Sequence, residues 1–134
     1  MRIAKYGTAL AALCLSGAAA GTELTGAEIE SMISGNTVYL ETTVASGTGR
    51  PGRGIIYYAA DGNALYRTPM GLMWHATWFV KDNMACHDWK EAPNNPCSKY
   101  DRQGDTISLI NIETGMIRAR IVKIAPGNAE DLSP

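Results

Sequence analysis

Apolar and polar positions change their spacing once along the chain, and that change divides it. Ile29, Met32 and Ile33 recur at intervals of three and four, the spacing of one helical face. Thr25 followed by Glu28 makes a capping box, with Leu24 and Ile29 placed as the flanking hydrophobic staple. The spacing predicts a short helix over residues 26–34, stopped by Gly35. A helix of this length does not hold alone in water, so its stripe must pack on something larger.

From Thr37 onward β-branched residues and alternation take over. Strands are predicted over residues 37–44, 54–59, 64–68, 73–81, 84–89, 99–102, 106–112 and 116–124. Between them lie the glycine-rich stretch 46–54, the turns Asp61-Gly62, Asp82-Asn83, Gln103-Gly104-Asp105 and Thr114-Gly115, and the irregular, proline- and asparagine-rich stretch 91–96. Stretch 46–54 has the length of a lid or contact loop, and the tail from Pro126 reads as frayed. The connections are too short for parallel crossovers, so neighbouring strands should be antiparallel. A meander of seven or eight strands has exposed edges unless it curls and closes. The expected fold is a mostly β domain: a small antiparallel β-barrel or strongly curled meander sheet, with the helix over one open end or face.

Composition then separates the first twenty residues from the rest. Arg2 and Lys5 precede the apolar run from Ala9 to Leu15, and Ala18, Ala19 and Ala20 offer small residues for cleavage, the pattern of a secretory signal peptide over residues 1–20. The run is far shorter than the roughly 20 residues that span a bilayer, and no transmembrane segment is expected. Leu13 before Cys14 does not suit a lipidation signal. Residues 21–134 form the expected single domain. Losing Arg2 and Lys5 from twelve basic residues leaves ten against thirteen acidic, a net charge of −3 with no cationic cluster. That argues against nucleic acid or an anionic membrane surface as partner. Cys86 and Cys97 remain, an even number for an oxidising compartment. Ten residues separate them, unlike a redox C-x-x-C motif, so a structural disulfide is expected, worth about 3 kcal/mol by loop closure.

The residues with chemistry to offer crowd into one stretch, from Trp74 to Tyr100. It holds all three tryptophans, both histidines and both of these cysteines. His75 and His87 with Met84, and Met70 and Met73 nearby, are ligand types that suit copper. Their facing depends on the hairpin register. A two-residue turn pairs Lys81 with Met84 and puts His87 on the face of Trp78, with His75 opposite. A three-residue turn pairs Val80 with Met84, brings both histidines to one face and sets Trp78 over Cys86. The second is the expected register, because a tryptophan against a disulfide makes good core; the metal reading remains an alternative. Catalysis finds less support. Asp88 adjoins His87 and so points the other way in a strand, and no nucleophile elbow, zincin motif or phosphate loop is present. Glu41, Asp88, Asp101 and Glu113 are acid–base candidates by type alone, which leaves a small envelope hydrolase as the other alternative.

The order of landmarks adds one more line. The Leu24-Thr25-Gly26 helix start, Gly35-Asn36-Thr37, Tyr57-Tyr58 with Asp61-Gly62, and the Trp78 hairpin leading to Cys86, Trp89 and Cys97 resemble a group of small secreted proteins of unknown function, known mainly from alphaproteobacteria. The resemblance covers nearly all of residues 21–134. It implies a periplasmic or secreted location and a Cys86–Cys97 bond, and no activity. It also leads one to expect a glycine just before the tryptophan strand, whereas here Trp74 and His75 intervene after Gly71. The functional expectation is a monomeric, non-enzymatic binding domain without a cofactor, its partner an envelope protein or a small ligand. The expected contact residues are Trp74, His75, His87, Trp89 and Tyr100, with Tyr57, Tyr58 and Tyr66 as further aromatics.

Overall fold

Eight antiparallel strands run up and down in chain order, and the last returns to pair with the first. The computed structural model describes residues 21–92 and 97–134, so the signal-peptide reading lies outside the described residues. The elements are β1 (Thr22–Glu23), α1 (Gly26–Ile33), β2 (Asn36–Thr42), β3 (Gly52–Tyr58), β4 (Asn63–Arg67), β5 (Met73–Lys81), β6 (Met84–Trp89), β7 (Cys97–Gln103), β8 (Thr106–Asn111) and β9 (Ile117–Pro126). β2 pairs with β3 along one edge and with β9 along the other. The sheet therefore closes into a barrel, which removes the exposed edges a meander would leave.

Among the described residues, β6 pairs with β7 through Ala85↔Ser98 and Cys86↔Cys97. β1 takes over the rest of that edge of β7, through Thr22↔Arg102 and Glu23↔Asp101, and the Leu24 amide donates to the Tyr100 carbonyl at 2.8 Å. The expected Cys86–Cys97 disulfide is formed. It joins two directly opposed residues of β6 and β7.

Alternation sorts the side chains into an inner and an outer set. Small residues such as Ala64, Ala76, Ala85 and Ala119 are buried beside Tyr58, Tyr66, Trp78 and Trp89, and this mixture of sizes fills the narrow bore. The helix forms as predicted. Thr25 Oγ1 accepts from the Glu28 amide while the Glu28 carboxylate accepts from the Thr25 amide, completing the capping box. Ile29 and Ile33 are fully buried, and α1 packs on β2, β5 and β6. Asn83, in the β5–β6 turn, accepts from the Gly26 amide through its side-chain oxygen at 2.7 Å. The helix thereby covers the end of the barrel where that turn lies.

Two expectations are corrected. The β5–β6 hairpin pairs Lys81 with Met84 and Trp78 with His87, the two-residue register. Asp82 and Asn83 both adopt left-handed φ, 52° and 58°, the twist that a two-residue hairpin turn needs. Trp78 consequently packs inside, its ring edge-on to Tyr58 at 5.3 Å, while Cys86 alternates to the other face and the disulfide is not its packing partner. The tail is docked rather than frayed. Thr37 Oγ1 donates to the Gly127 carbonyl at 2.6 Å and accepts from the Ala129 amide, Tyr39 donates to Glu130, and Leu132 is buried.

Candidate functional site

The barrel end opposite α1 is reached by the connections at residues 43–51, 68–72 and 112–116, and by residues 90–92 that follow β6. Just inside it lies a cavity of about 60 Å³. Its apolar wall comprises Leu40, Ile56, Leu109, Ala119, Trp74 and Trp89, and Ser46 and Gly47 of the first connection reach over it. That connection is tied back to the barrel: Thr42 Oγ1 donates to the Arg50 carbonyl at 2.6 Å, and Ser46 and Thr48 share a hydroxyl hydrogen bond.

The aromatic wall is a continuous chain of contacts. Trp74, Trp89 and Tyr66 meet in pairs at 5.4–6.1 Å between ring centroids. His87 stacks flat on Trp89 at 4.9 Å, and its Nε2 shares a 2.7 Å hydrogen bond with the Tyr58 hydroxyl. Gly54 is needed for this arrangement, because a Cβ there would stand 2.7 Å from Tyr66 Cε1.

Arg118 is the charged member. Along β8 and β9 the register slips: Leu109 faces Ala119 while the next residue, Ile110, faces Ile117. Arg118 is the extra residue of this bulge. A bulge breaks the strict in–out alternation, which allows Arg118 and its neighbour Ala119 both to line the cavity. Its Nη1 donates to Ser98 Oγ at 2.8 Å. Every Asp and Glu of the chain lies among the described residues, and none is within ion-pair distance of Arg118.

Electrostatics leave Arg118 as the one charge in this space. Burial, with Arg118 adding to it, pushes His87 down to about 3, so the imidazole is neutral at ordinary pH. Burial pushes Tyr66 and Tyr100 up to about 12 and also raises Tyr58 well above its ordinary value. The same burial lowers Arg118, while the three tyrosines act to raise it. The Tyr100 hydroxyl is buried against Tyr58 without a hydrogen bond of standard geometry.

Of the residues expected from sequence, Trp74, His87 and Trp89 line the cavity and Tyr100 is buried deeper in the bore. His75 is on the outer face. Its Nδ1 lies 3.0 Å from a Glu91 oxygen, and its amide donates to the other oxygen of the same carboxylate. The strand wall therefore separates His75 from His87. Met84 sits beside the β5–β6 turn, toward the helix end. The residues of the copper reading do not converge, and no group of three His, Cys, Asp or Glu side chains forms among the described residues. Sequence reasoning missed Arg118 and Ser98.

No family model matches this chain, and neither a curated protein nor a solved structure gives a match.

Proposed function

We propose that this is a periplasmic or secreted, non-enzymatic binding barrel that takes a small ligand at the mouth opposite α1. The observation that carries the reading is the cavity itself: an aromatic and aliphatic wall with a few convergent polar groups, opening between loops on a closed scaffold. Eight-stranded barrels have an interior just wide enough to be filled by side chains or to hold one small ligand, and sites of this composition are the common form of small-molecule pockets. The signal-like first twenty residues and the Cys86–Cys97 bond support an oxidising compartment.

The test is native mass spectrometry of the protein isolated from the periplasm or medium, followed by a thermal-shift screen of small molecules. A stoichiometric adduct, or a dose-dependent rise in melting temperature that is lost in Trp89→Ala, supports the reading. A protein that carries nothing and is shifted by nothing in a chemically broad screen defeats it.

A further inference from the structure

The chemistry of the cavity points beyond binding in general to one ligand class. We propose that the mouth binds a small amphipathic monoanion, an aliphatic carboxylate whose head enters the cavity to meet Arg118 and Ser98 and whose chain lies along the rim. This rests on the binding reading above and adds the class of ligand.

Three observations lead there. The first is the unpaired cation. Arg118 is half-buried, and a guanidinium drawn partly out of water without a counter-ion carries a desolvation cost unless something neutralises it; no carboxylate of the protein does so. Arg118 uses one nitrogen on Ser98, which frees the Ser98 hydroxyl proton to donate alongside the remaining guanidinium N–H groups. A planar carboxylate matches that donor set. Because the neighbouring His87 is neutral and the tyrosines keep their protons, a single negative charge is balanced and a second would not be.

The second is size. The space of about 60 Å³ is well under half the roughly 150 Å³ apolar cavity that admits benzene. A carboxylate and its first methylenes fit, and the rest of any larger ligand must leave through the mouth. The third is what awaits it there. Among the described residues, most of the exposed large apolar side chains stand on the mouth connections: Val44 at 66%, Met70 at 61%, Leu72 at 56%, Met116 at 52% and Ile112 at 47%. An apolar rim continuous with a cavity whose one charge is positive is complementary to a charged head followed by an alkyl chain.

Calorimetric titration of the wild-type domain with octanoate, octanol, octylammonium and acetate tests the class without any variant. Octanoate is expected to bind at least about tenfold more tightly than octanol or octylammonium, the effect of one charge-assisted contact. It should also exceed acetate, which lacks the chain. Arg118→Met is expected to reduce octanoate to the affinity of octanol, with the fold checked by circular dichroism. Octanol or octylammonium binding as tightly as octanoate would overturn the carboxylate class while leaving a binding barrel in place. Acetate equal to octanoate would remove the rim from the proposal. Absence of binding by all four overturns the class outright, and the chemically broad screen described above then decides separately whether the barrel binds any ligand.

Discussion

Lowering the pH should destabilise this barrel well above the range where carboxylates titrate, and His87 is the reason. In the unfolded chain the imidazole takes a proton near 6.5, whereas in the barrel burial holds its pKa down to about 3. Between those values the unfolded state binds more protons than the folded one, so stability falls as pH falls and is flat above the window. Full linkage gives a slope of about 1.4 kcal/mol per pH unit. From pH 7.5 to 5.0 the loss is therefore about 2 kcal/mol, since protonation of the unfolded chain becomes appreciable only below 6.5. Glu28 and Glu130 have lowered pKa values, Glu28 through hydrogen bonds from Thr25 and Glu130 through one from Tyr39, and they act in the same direction only at lower pH. Stopping at pH 5.0 keeps them mostly out of the measurement. Urea denaturation at the two pH values should show a midpoint shift on the order of 1 M. His87→Gln keeps a hydrogen-bonding group for Tyr58 and removes the titration, so most of the pH difference should vanish even if the variant is less stable throughout. The same pair of measurements on His75→Gln separates the two histidines. Equal wild-type midpoints at both pH values, or a His87→Gln variant that keeps the full difference, would refute the argument.

Other expectations follow from the same packing. Replacing Cys86 and Cys97 together by serine should cost about 3 kcal/mol for a loop of 11 residues, read as a lower urea midpoint. Hydrogen exchange should quicken most at the β6–β7 seam, and uniform exchange would contradict the role given to that ladder. Thr25→Ala removes the helix cap and should cost about 1 kcal/mol in thermal or urea unfolding, with no change in octanoate affinity if α1 only closes the far end. Deleting residues 128–134 strips Tyr39 and Arg67 of Glu130 and Thr37 of the Ala129 amide, while the Gly127 carbonyl stays. It should lower the melting temperature by several degrees, and an unchanged melting temperature would mean that the docking contributes nothing.

The elements were legible because their signals are local. The capping box and staple announce α1, and the strands over 73–81 and 84–89 coincide with β5 and β6 to the residue. Turn residues such as Asp61-Gly62 marked the breaks between the barrel strands, while the two-residue β1 carried no local signal. Closure was left open because it depends on pairing β2 with a strand about eighty residues later, which no local pattern encodes. The hairpin register went wrong for an instructive reason. Asp and Asn are the residues that tolerate left-handed φ, and two of them in sequence ask for a two-residue turn. The three-residue reading overrode that local chemistry for the sake of a tertiary contact, Trp78 on the disulfide, which the fold does not make. The tail was misread because its polarity suggested fraying, while its partners lie on β2 and β4.

Arg118 illustrates a limit of a different kind. In an ideal strand, Arg118 and Arg120 flank Ala119 on the outer face, and both read as solvated charges. What takes Arg118 out of that pattern is one residue of slippage against β8, a property of two strands and their closure together. Tyr58, Tyr66 and Trp89 are legible as aromatics with a polar edge, since amphipathic side chains carry that signal wherever they stand. The sequence thus offered the apolar half of the candidate cavity and hid its charge. An inward-turned cation beside a bulge, with all thirteen carboxylates of the chain out of reach, is costly for folding alone. On the proposed reading, a bound carboxylate partners Arg118, so that what its partial burial costs in folding becomes selectivity for that ligand.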